Sequence, residues 1–303
     1  MNLTLLTPFR PNRAGYGNQY QMTQDDNGLW HNGDISGETN ENIMGQDLII
    51  RCLSSLNKNS YFKHKIILVY EPDVIFSEVY KDKIRNKFNI EFFKSSKKQS
   101  LFHSMREALL LIPDDTIMCY NYNIDLVCGK NWDKYVSDAR SIHGDDKVYT
   151  PIWVEPRQKM TNAHMPNCGE KYKDLSYNEE TTLDSIWNVW RKLNCHSLTM
   201  KFPIDKDYIT EKELDDWSNI CNQFDKKTII EPCGVRDYGY YNAMIANSTI
   251  FKQASDSLLT TIGAPDLEFD NNLKRDKVVV TNSHLFHLHF KCELDNIEVE
   301  HEK

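Results

Sequence analysis

Short apolar runs that end at polar or proline-containing turns dominate the first half of the chain. They occupy residues 3–7, 64–70, 89–93 and 116–120, and each has the length of a buried strand. Two stretches with apolar residues at helical spacing, 43–56 and 100–112, lie between them. Because strands that alternate with helices and read as continuous apolar runs form parallel sheets covered on both faces, the pattern predicts an α/β fold with a mainly parallel sheet between layers of helices.

The second half of the chain has a less regular pattern of strands. Residues 147–154 predict a strand, in which Pro151 indicates an edge position or a bulge because proline cannot donate to a neighbouring strand. Residues 278–281 and 284–290 predict two strands near the end of the chain.

Two helical patterns lie between these strands. One spans residues 182–193, and the other spans residues 210–224 and opens with Thr210-Glu-Lys-Glu213. A threonine followed three residues later by glutamate is a capping box, in which each side chain accepts a hydrogen bond from the other residue's backbone N–H. The sequence therefore places a helix start at Thr210.

The segment 12–42 is rich in Gly, Asn, Asp and Gln and has no clear period. A loop of that length in a compact domain is typical of a functional lid, so we expect it to close over a bound ligand.

Composition and charge narrow the function classes. The chain has 303 residues and a net charge of −8, with 44 acidic and 36 basic residues. A protein that holds nucleic acid through its phosphates needs a basic face, and the densest basic cluster here is only Lys94-Ser-Ser-Lys97-Lys98. The charge balance therefore does not indicate a nucleic-acid-binding protein, although a local patch could still contact DNA.

The cysteines and the N-terminus predict the cellular compartment. The 8 cysteines are scattered without a CxxC pair, and several lie inside apolar runs, which is typical of buried free thiols in a reducing compartment. The first ten residues lack the basic start and long apolar core of a signal peptide, and no stretch is long and apolar enough to span a membrane. We therefore expect a cytoplasmic protein without a membrane partner, in the host cytoplasm if the source is a virus.

Three stretches carry candidate chemistry. The first combines two strand ends, Leu5-Leu-Thr-Pro-Phe-Arg10 and Ile66-Ile-Leu-Val-Tyr-Glu-Pro-Asp73. The second is Tyr120-Asn-Tyr-Asn-Ile-Asp-Leu-Val127, followed by Trp132-Asp133. The third runs through Gly263-Ala-Pro-Asp-Leu-Glu-Phe269, Lys274-Arg275, Val278-Val-Val280 and Ser283-His-Leu-Phe-His287.

In this order and spacing, the three stretches resemble the GT-A glycosyltransferases, most nearly the large family 2 and its viral or phage-type relatives. The resemblance covers residues 1–135 and 235–290. It implies one domain over residues 1–303, with residues 1–135 as the nucleotide-binding half, residues 136–303 as the acceptor and catalytic half, and a helical insertion at about residues 160–230. It implies a nucleotide-diphospho-sugar transferase fold and the transfer of a sugar from a nucleoside-diphosphate sugar, a UDP-sugar above all, to an acceptor hydroxyl. The resemblance implies that the donor contacts these side chains: Thr7, Pro8, Arg10, Glu71, Asp73 and Asn123.

The resemblance also implies a divalent cation, Mn²⁺ or Mg²⁺. Its D-x-D segment corresponds to Asn123-x-Asp125, so an amide replaces one carboxylate. Such a segment fits the reaction, because a departing nucleoside diphosphate develops negative charge and hard cations prefer oxygen ligands. Asp125 is the predicted metal ligand, and His287 falls on the histidine that helps to hold the metal or the diphosphate.

Asp266 falls on the position of the catalytic base, with Glu268 as the acidic residue after it. A base is needed because the acceptor hydroxyl loses its proton as it attacks, and a placed carboxylate contributes about 10²–10⁴-fold to such a step. One base without an enzyme nucleophile predicts inversion at the anomeric carbon. Pro265 departs from the glutamate that the family has there.

Several alternatives remain open at the level of the sequence. The acceptor could be a glycan, a small molecule, or hydroxymethylated bases of viral DNA. A sugar- or nucleotide-binding module without catalysis would fit Asn123, and a nucleotidyltransferase shares a similar parallel sheet. The alternation of His287 with His289 also suits a zinc site.

Overall fold

The computed structural model describes residues 1–9, 22–24, 30–32, 41–72, 74–97, 101–157, 198–201, 208–222, 228–232, 243–259, 265–288 and 291–296. The strands are β1 Thr4–Phe9, β2 Met22–Gln24, β3 Trp30–Asn32, β4 Lys65–Tyr70, β5 Ile90–Lys94, β6 Ile117–Tyr120, β7 Leu126–Cys128, β8 Val148–Arg157, β9 Leu198–Lys201, β10 Tyr208–Ile209, β11 Thr228–Pro232, β12 Met244–Asn247, β13 Asp276–His287 and β14 Lys291–Cys292. The helices are α1 Glu41–Asn59, α2 Glu78–Lys87, α3 Leu101–Leu111, α4 Trp132–His143, α5 Glu211–Asn222, α6 Ser248–Ser255 and α7 Pro265–Asn272.

Within the described residues, a ten-stranded sheet organises the fold, with the order β11-β13-β8-β12-β6-β1-β4-β5 along its main path. Strands β5, β4, β1 and β6 are parallel neighbours, and the antiparallel strand β12 joins this block to β8 and β13. Two apolar clusters lie on its two faces. One contains the buried residues of α1, α2 and α4, and the other contains those of α3, α6 and α7. The predicted α/β fold, with a sheet covered by helices on both faces, is confirmed.

The pairing of β8 with its neighbours shows whether Pro151 lies on an edge strand or beside a bulge. β8 lies between β12 and β13, so the expectation of an edge strand is wrong. The expectation of a bulge is confirmed, because Pro151 pairs with Val280 while Ile152 pairs with His284, and residues 281–283 of β13 are inserted between them. This bulge also joins the two closing strands predicted from the sequence into the single strand β13.

The capping box at Thr210 is formed as the sequence predicts. The backbone N–H of Thr210 donates to Glu213 Oε2 over 2.8 Å, and the backbone N–H of Glu213 donates to Thr210 Oγ1 over 3.2 Å. These bonds satisfy N–H groups that a helix start otherwise leaves without partners. The predicted helix 182–193 and most of the predicted lid 12–42 lie outside the described residues, apart from a pairing of β2 with β3.

The cysteines whose side chains the structure describes, Cys52, Cys119, Cys128 and Cys292, are free and buried. This agrees with the prediction of buried thiols. Burial raises the pKa of the Cys128 thiol to about 12, so this group is a neutral thiol at physiological pH. Among the described helices, none is long and apolar enough to span a lipid bilayer.

Candidate functional site at the carboxyl ends of the parallel strands

The carboxyl ends of the parallel strands gather the first two candidate stretches at one edge of the sheet. Phe9 at the end of β1 pairs with Tyr70 at the end of β4, and Leu6 of β1 pairs with Tyr120 at the end of β6. The backbone N–H of Tyr122 then donates to the carbonyl oxygen of Leu6 over 3.1 Å. The turn that follows β6 therefore starts beside the end of β1, which is the place where open α/β sheets bind ligands.

The predicted donor-binding residues of β1 and β4 lie at this edge but are buried. Thr7 and Pro8 pair with Leu68 and Val69, and the Thr7 hydroxyl has no hydrogen-bond partner among the described residues. Glu71 directly follows β4 and is 7% exposed. Two further predicted donor-binding residues, Arg10 and Asp73, lie outside the described residues.

The turn between β6 and β7 has a strained start and an alternating burial pattern. Asn121 has a φ of 58°, and its carbonyl oxygen accepts a hydrogen bond of 2.9 Å from the N–H of Ala243, which has a φ of 54°. Positive φ values are costly for residues other than glycine and concentrate at functional sites. After Asn121, the side chains of Tyr122 and Ile124 are buried in the core.

Asn123 and Asp125, the two residues of the predicted metal-binding segment, alternate with these core residues and are half-buried. The alternation explains the local fold, since the two apolar side chains anchor the turn to the core. Asn123 and Asp125 are therefore less buried than Tyr122 and Ile124, although one carboxylate oxygen of Asp125, Oδ1, is itself buried. Both residues lie in the turn after β6, at the carboxyl ends of the parallel strands.

The end of β13 lies beside the same turn. Strands β7 and β13 pair antiparallel, with His287 opposite Leu126. The backbone N–H of Leu288 also donates to the carbonyl oxygen of Asp125 over 3.4 Å. The backbone of His287 is therefore adjacent to that of Asp125, although the two residues are far apart in the sequence. Their joint binding of a cation stays a prediction, since the His287 side chain is outside the described atoms.

The predicted base Asp266 lies in the first turn of α7. The helix starts at Pro265, a residue favoured there because its missing N–H would have no helical partner. Phe269 of this helix is fully buried and stacks on Tyr120 with 4.4 Å between ring centroids and 9° between planes. Because Tyr120 directly precedes the turn that carries Asp125, this stack fastens the helix of Asp266 to that turn. The side chains of Asp266 and Glu268 are outside the described atoms.

A buried cation that the sequence pattern does not reveal lies close to this site. Arg51 of α1 is fully buried, and its Nη1 donates to the carbonyl oxygen of Leu288 over 3.4 Å. The N–H of Leu288 in turn bonds the carbonyl oxygen of Asp125, so Arg51 supports the backbone that joins the two candidate metal ligands. A signal was present in the sequence, because Arg51 interrupts the apolar run 48–53.

Asp133, which the resemblance groups with the metal-binding segment, belongs to the opposite edge of the sheet. Its carboxylate accepts hydrogen bonds of 2.8 Å from the N–H groups of Tyr61 and Phe62 and a bond of 3.0 Å from His64 Nε2. His64 Nδ1 accepts from the N–H of Leu3, so the imidazole is neutral and carries its proton on Nε2. Asp133 therefore joins α4 to the starts of β1 and β4.

The environment of the Asp133 carboxyl also shifts its acidity. Burial by itself would raise its pKa, but the hydrogen bonds from His64 and from the two backbone N–H groups outweigh burial. The pKa of Asp133 is therefore lowered, and the carboxylate is charged at neutral pH. Its role in this fold is structural.

His284 of β13 is buried and contacts residues of α5 and of the turn after β7. Its Nε2 lies 3.2 Å from Ser218 Oγ, which itself accepts a bond from the N–H of Lys130. Burial lowers the pKa of His284 to about 4, so the ring is neutral at physiological pH. Gly129 faces the ring so closely that an added Cβ would lie 2.0 Å from Nε2.

The side chains of the candidate metal ligands have the chemistry that a divalent cation prefers. Mg²⁺ binds through one or two carboxylates together with substrate phosphates, so a site does not need a full cage of protein ligands. Asp125 supplies one carboxylate and Asn123 an amide oxygen, with His287 at the neighbouring backbone position. No group of three or more His, Cys, Asp or Glu side chains gathers among the described residues.

No protein-family model matches the chain, and no curated protein matches it. Solved structures share its general architecture at low identity. GalNAc-T7, crystallised with UDP, GalNAc and Mn²⁺, has a TM-score of 0.47 and 11% identity over 94% of this chain and 43% of its own. TarS 1–349 of S. aureus has a TM-score of 0.46 and 12% identity over 94% of this chain and 60% of its own.

A third likeness is to 4-diphosphocytidyl-2C-methyl-D-erythritol synthase of Anaerococcus prevotii, with a TM-score of 0.38 and 12% identity over 98% of this chain and 90% of its own. The chain thus spans about half the length of the first two structures, GalNAc-T7 and TarS 1–349. Likenesses at these TM-scores do not establish a shared activity. The function proposed for this chain therefore rests on its own residues.

Proposed function

We propose that the chain is a glycosyltransferase that moves a sugar from a nucleoside-diphosphate sugar, most simply a UDP-sugar, to an acceptor hydroxyl of a glycan or small molecule. The observation that carries the proposal is the meeting of the turn after β6 with the end of β13, where Leu288 bonds Asp125. Three separate stretches that resemble one family in sequence supply the two sides of this meeting point and the helix beside it. Ordinary turns would not need to bring these three stretches to one place in the fold.

In this proposal Asp125 and His287 hold Mn²⁺ or Mg²⁺, and Asn123 contacts the cation or the ribose of the donor. The cation would neutralise the charge that develops on the departing diphosphate. Arg51 keeps the backbone between the two ligands in place through Leu288. The amide of Asn123 carries no charge, so the site depends on Asp125 for its negative charge.

The donor's nucleotide would lie along the ends of β1 and β4. Thr7, Pro8 and Glu71 line this edge in the structure, and Arg10 and Asp73 directly extend it in the sequence. Residues 12–42 would close over the donor, since keeping water away from the sugar carbon prevents wasteful hydrolysis.

Asp266 would accept the proton of the acceptor hydroxyl as that oxygen attacks the anomeric carbon. Its helix is fastened to the end of β6 by the stack of Phe269 on Tyr120, so the base and the cation ligands lie on connected elements. A single base without an enzyme nucleophile gives inversion of configuration.

The test of this function is the release of UDP from UDP-glucose, UDP-galactose, UDP-GlcNAc and UDP-GalNAc, with Mn²⁺ or with EDTA. We expect Mn²⁺-dependent release from at least one donor, which rises when an acceptor sugar is added. Asp266→Asn should lower kcat by about 10²-fold or more while the Kd for the donor is unchanged, because an amide keeps the shape but cannot take the proton. Release of pyrophosphate from CTP and a sugar phosphate, without UDP release, would instead make the chain a nucleotidyltransferase.

A further inference from the structure

A second feature of α7 has no role in the chemistry described so far. Asp270 near the end of this helix and Lys277 near the start of β13 form an ion pair, with 3.8 Å between Lys277 Nζ and Asp270 Oδ1. Their side chains are 0% and 1% exposed. Lys277 pairs with Val148 on one side and with Glu231 on the other, so this lysine lies on an interior strand of the sheet.

A fully buried ion pair is an unusual choice for stability alone. Removing two charges from water costs free energy, and replacing such a pair by apolar residues of similar size is often neutral or stabilising. Its best-attested use is to select one arrangement among several that apolar packing would allow. Burial of aliphatic side chains, by contrast, is not directional.

We propose that Asp270 and Lys277 are positioning residues that fix the rotation and axial position of α7, and with them the position of Asp266. This inference rests on the proposed function, in which Asp266 is the base. Asp266 lies four residues before Asp270 on one continuous helix of eight residues, so constraining the backbone at Asp270 constrains it at Asp266. The ion pair and the Phe269–Tyr120 stack together hold the helix at two consecutive residues, one against β13 and one against β6.

A nearby ion pair provides a matched control. Lys147 Nζ lies 3.0 Å from Asp276 Oδ2, and the two side chains are 20% and 50% exposed. This pair also joins the starts of β8 and β13, but neither residue belongs to the helix of Asp266 and both side chains are partly exposed. Its loss should therefore have little effect on stability or on catalysis.

The test compares the full-length wild type with Asp270→Asn, Lys277→Met, the double variant Asp270→Leu/Lys277→Met, and the control Lys147→Met. Each protein is measured for thermal midpoint, hydrogen exchange of residues 265–272, kcat for UDP release and Kd for UDP with Mn²⁺. The single variants should lose about 10 °C in thermal midpoint, since each removes one partner of a buried ion pair. The double variant should regain the midpoint of the wild type to within about 3 °C, since neither charge remains.

The proposal predicts that the double variant stays impaired despite its recovered stability. Its kcat should remain at least about tenfold below that of the wild type with Kd for UDP unchanged, and amides of 265–272 should exchange at least about tenfold faster. Recovery of kcat or of slow exchange together with the thermal midpoint would show a merely structural pair and overturn the inference. The hydrogen-exchange measurement needs no substrate. It therefore tests the positioning role even if the protein releases UDP from none of the four UDP-sugars.

The variant Asp266→Asn distinguishes a failure of the proposed base from a failure of the proposed positioning role. Normal turnover in Asp266→Asn would refute both the assignment of the base and the positioning role. An inactive Asp266→Asn combined with normal turnover in the Asp270→Leu/Lys277→Met variant would refute the positioning role alone.

Discussion

The buried imidazole of His284 makes the stability of this protein depend on pH between neutrality and pH 4. Its pKa is lowered from 6.5 to about 4 because burial disfavours the charged ring. In the unfolded chain the ring takes up a proton near pH 6.5, whereas the folded protein resists this until about pH 4. The folded state is therefore fully favoured above pH 6.5 and loses that advantage as the pH falls toward 4.

The size of this effect follows from the two pKa values. Proton linkage between a pKa of 6.5 and one of about 4 gives a loss of roughly 2 kcal/mol in the free energy of unfolding between pH 7 and pH 5. By pH 4 the loss reaches about 3 kcal/mol. This is a large fraction of the usual 5–15 kcal/mol stability of a domain, so urea titrations measure it readily.

The assay compares urea unfolding of the wild type with that of His284→Gln at pH 7, 6 and 5. Glutamine does not titrate, and its side-chain oxygen can accept the hydrogen bond of Ser218. We expect the advantage of the wild type over His284→Gln to shrink by about 2 kcal/mol between pH 7 and pH 5. An advantage that is constant over this range would refute the reasoning, because the ring would then titrate equally in both states.

Three further predictions concern single side chains. Gly129→Ala should lower the free energy of unfolding by about 3 kcal/mol in urea titrations, because the new Cβ would lie 2.0 Å from His284 Nε2, and unchanged stability would mean that the ring moves aside freely. Asp133→Ala should cost at least about 3 kcal/mol at pH 7, since it removes the acceptor of three hydrogen bonds from other segments. The cost of Asp133→Ala should diminish below pH 3.8, because protonation of the wild-type carboxyl then weakens the hydrogen bonds that the variant lacks. An equal cost at pH 7 and pH 3 would contradict a lowered pKa for Asp133. Asn123→Ala should weaken Mn²⁺-dependent binding of UDP less than Asp125→Ala does, because it removes no charge, and equal losses in calorimetric titrations would mean that the segment binds the ribose instead.

Local patterns in the sequence predict the parallel half of the fold closely. The runs that predict β1, β4, β5 and β6 differ from the observed strands by one or two residues at most ends. Each run is both apolar and bounded by a turn, so the signal for a strand and the signal for its ends lie in the same few residues. The capping box at Thr210 is equally local, and it places the start of α5 correctly.

The elements that the sequence misses depend on distant partners. Helix α2 buries only Tyr80 and Ile84, so its apolar stripe is too narrow to stand out, although Ser77 caps it. The interior position of β8 follows from its pairing with β12 and β13, which no local pattern contains. Pro151 is tolerated there because residues inserted in β13 face it, a compensation that the sequence of β8 alone cannot reveal.

The residues of the candidate site also differ in how far the sequence reveals them. Asn123 and Asp125 stand out because polar residues follow a buried strand, and the end of β13 stands out through its order relative to them. Arg51 and the Asp270–Lys277 pair do not stand out, because a charged residue in a helix or strand is ordinarily solvated. Only the three-dimensional structure shows that these charges are buried beside the residues proposed for the chemistry.

The most direct test of the central claim is the Mn²⁺-dependent binding of UDP, measured by calorimetry in the wild type, Asp125→Ala and His287→Ala. The proposed site holds the cation through both residues, so each variant should bind UDP with the same Kd whether Mn²⁺ or EDTA is present. The wild type should bind UDP at least about tenfold more tightly with Mn²⁺ than with EDTA, and Lys147→Met should behave like the wild type. Mn²⁺-dependent binding at wild-type strength in either Asp125→Ala or His287→Ala would contradict a shared cation site.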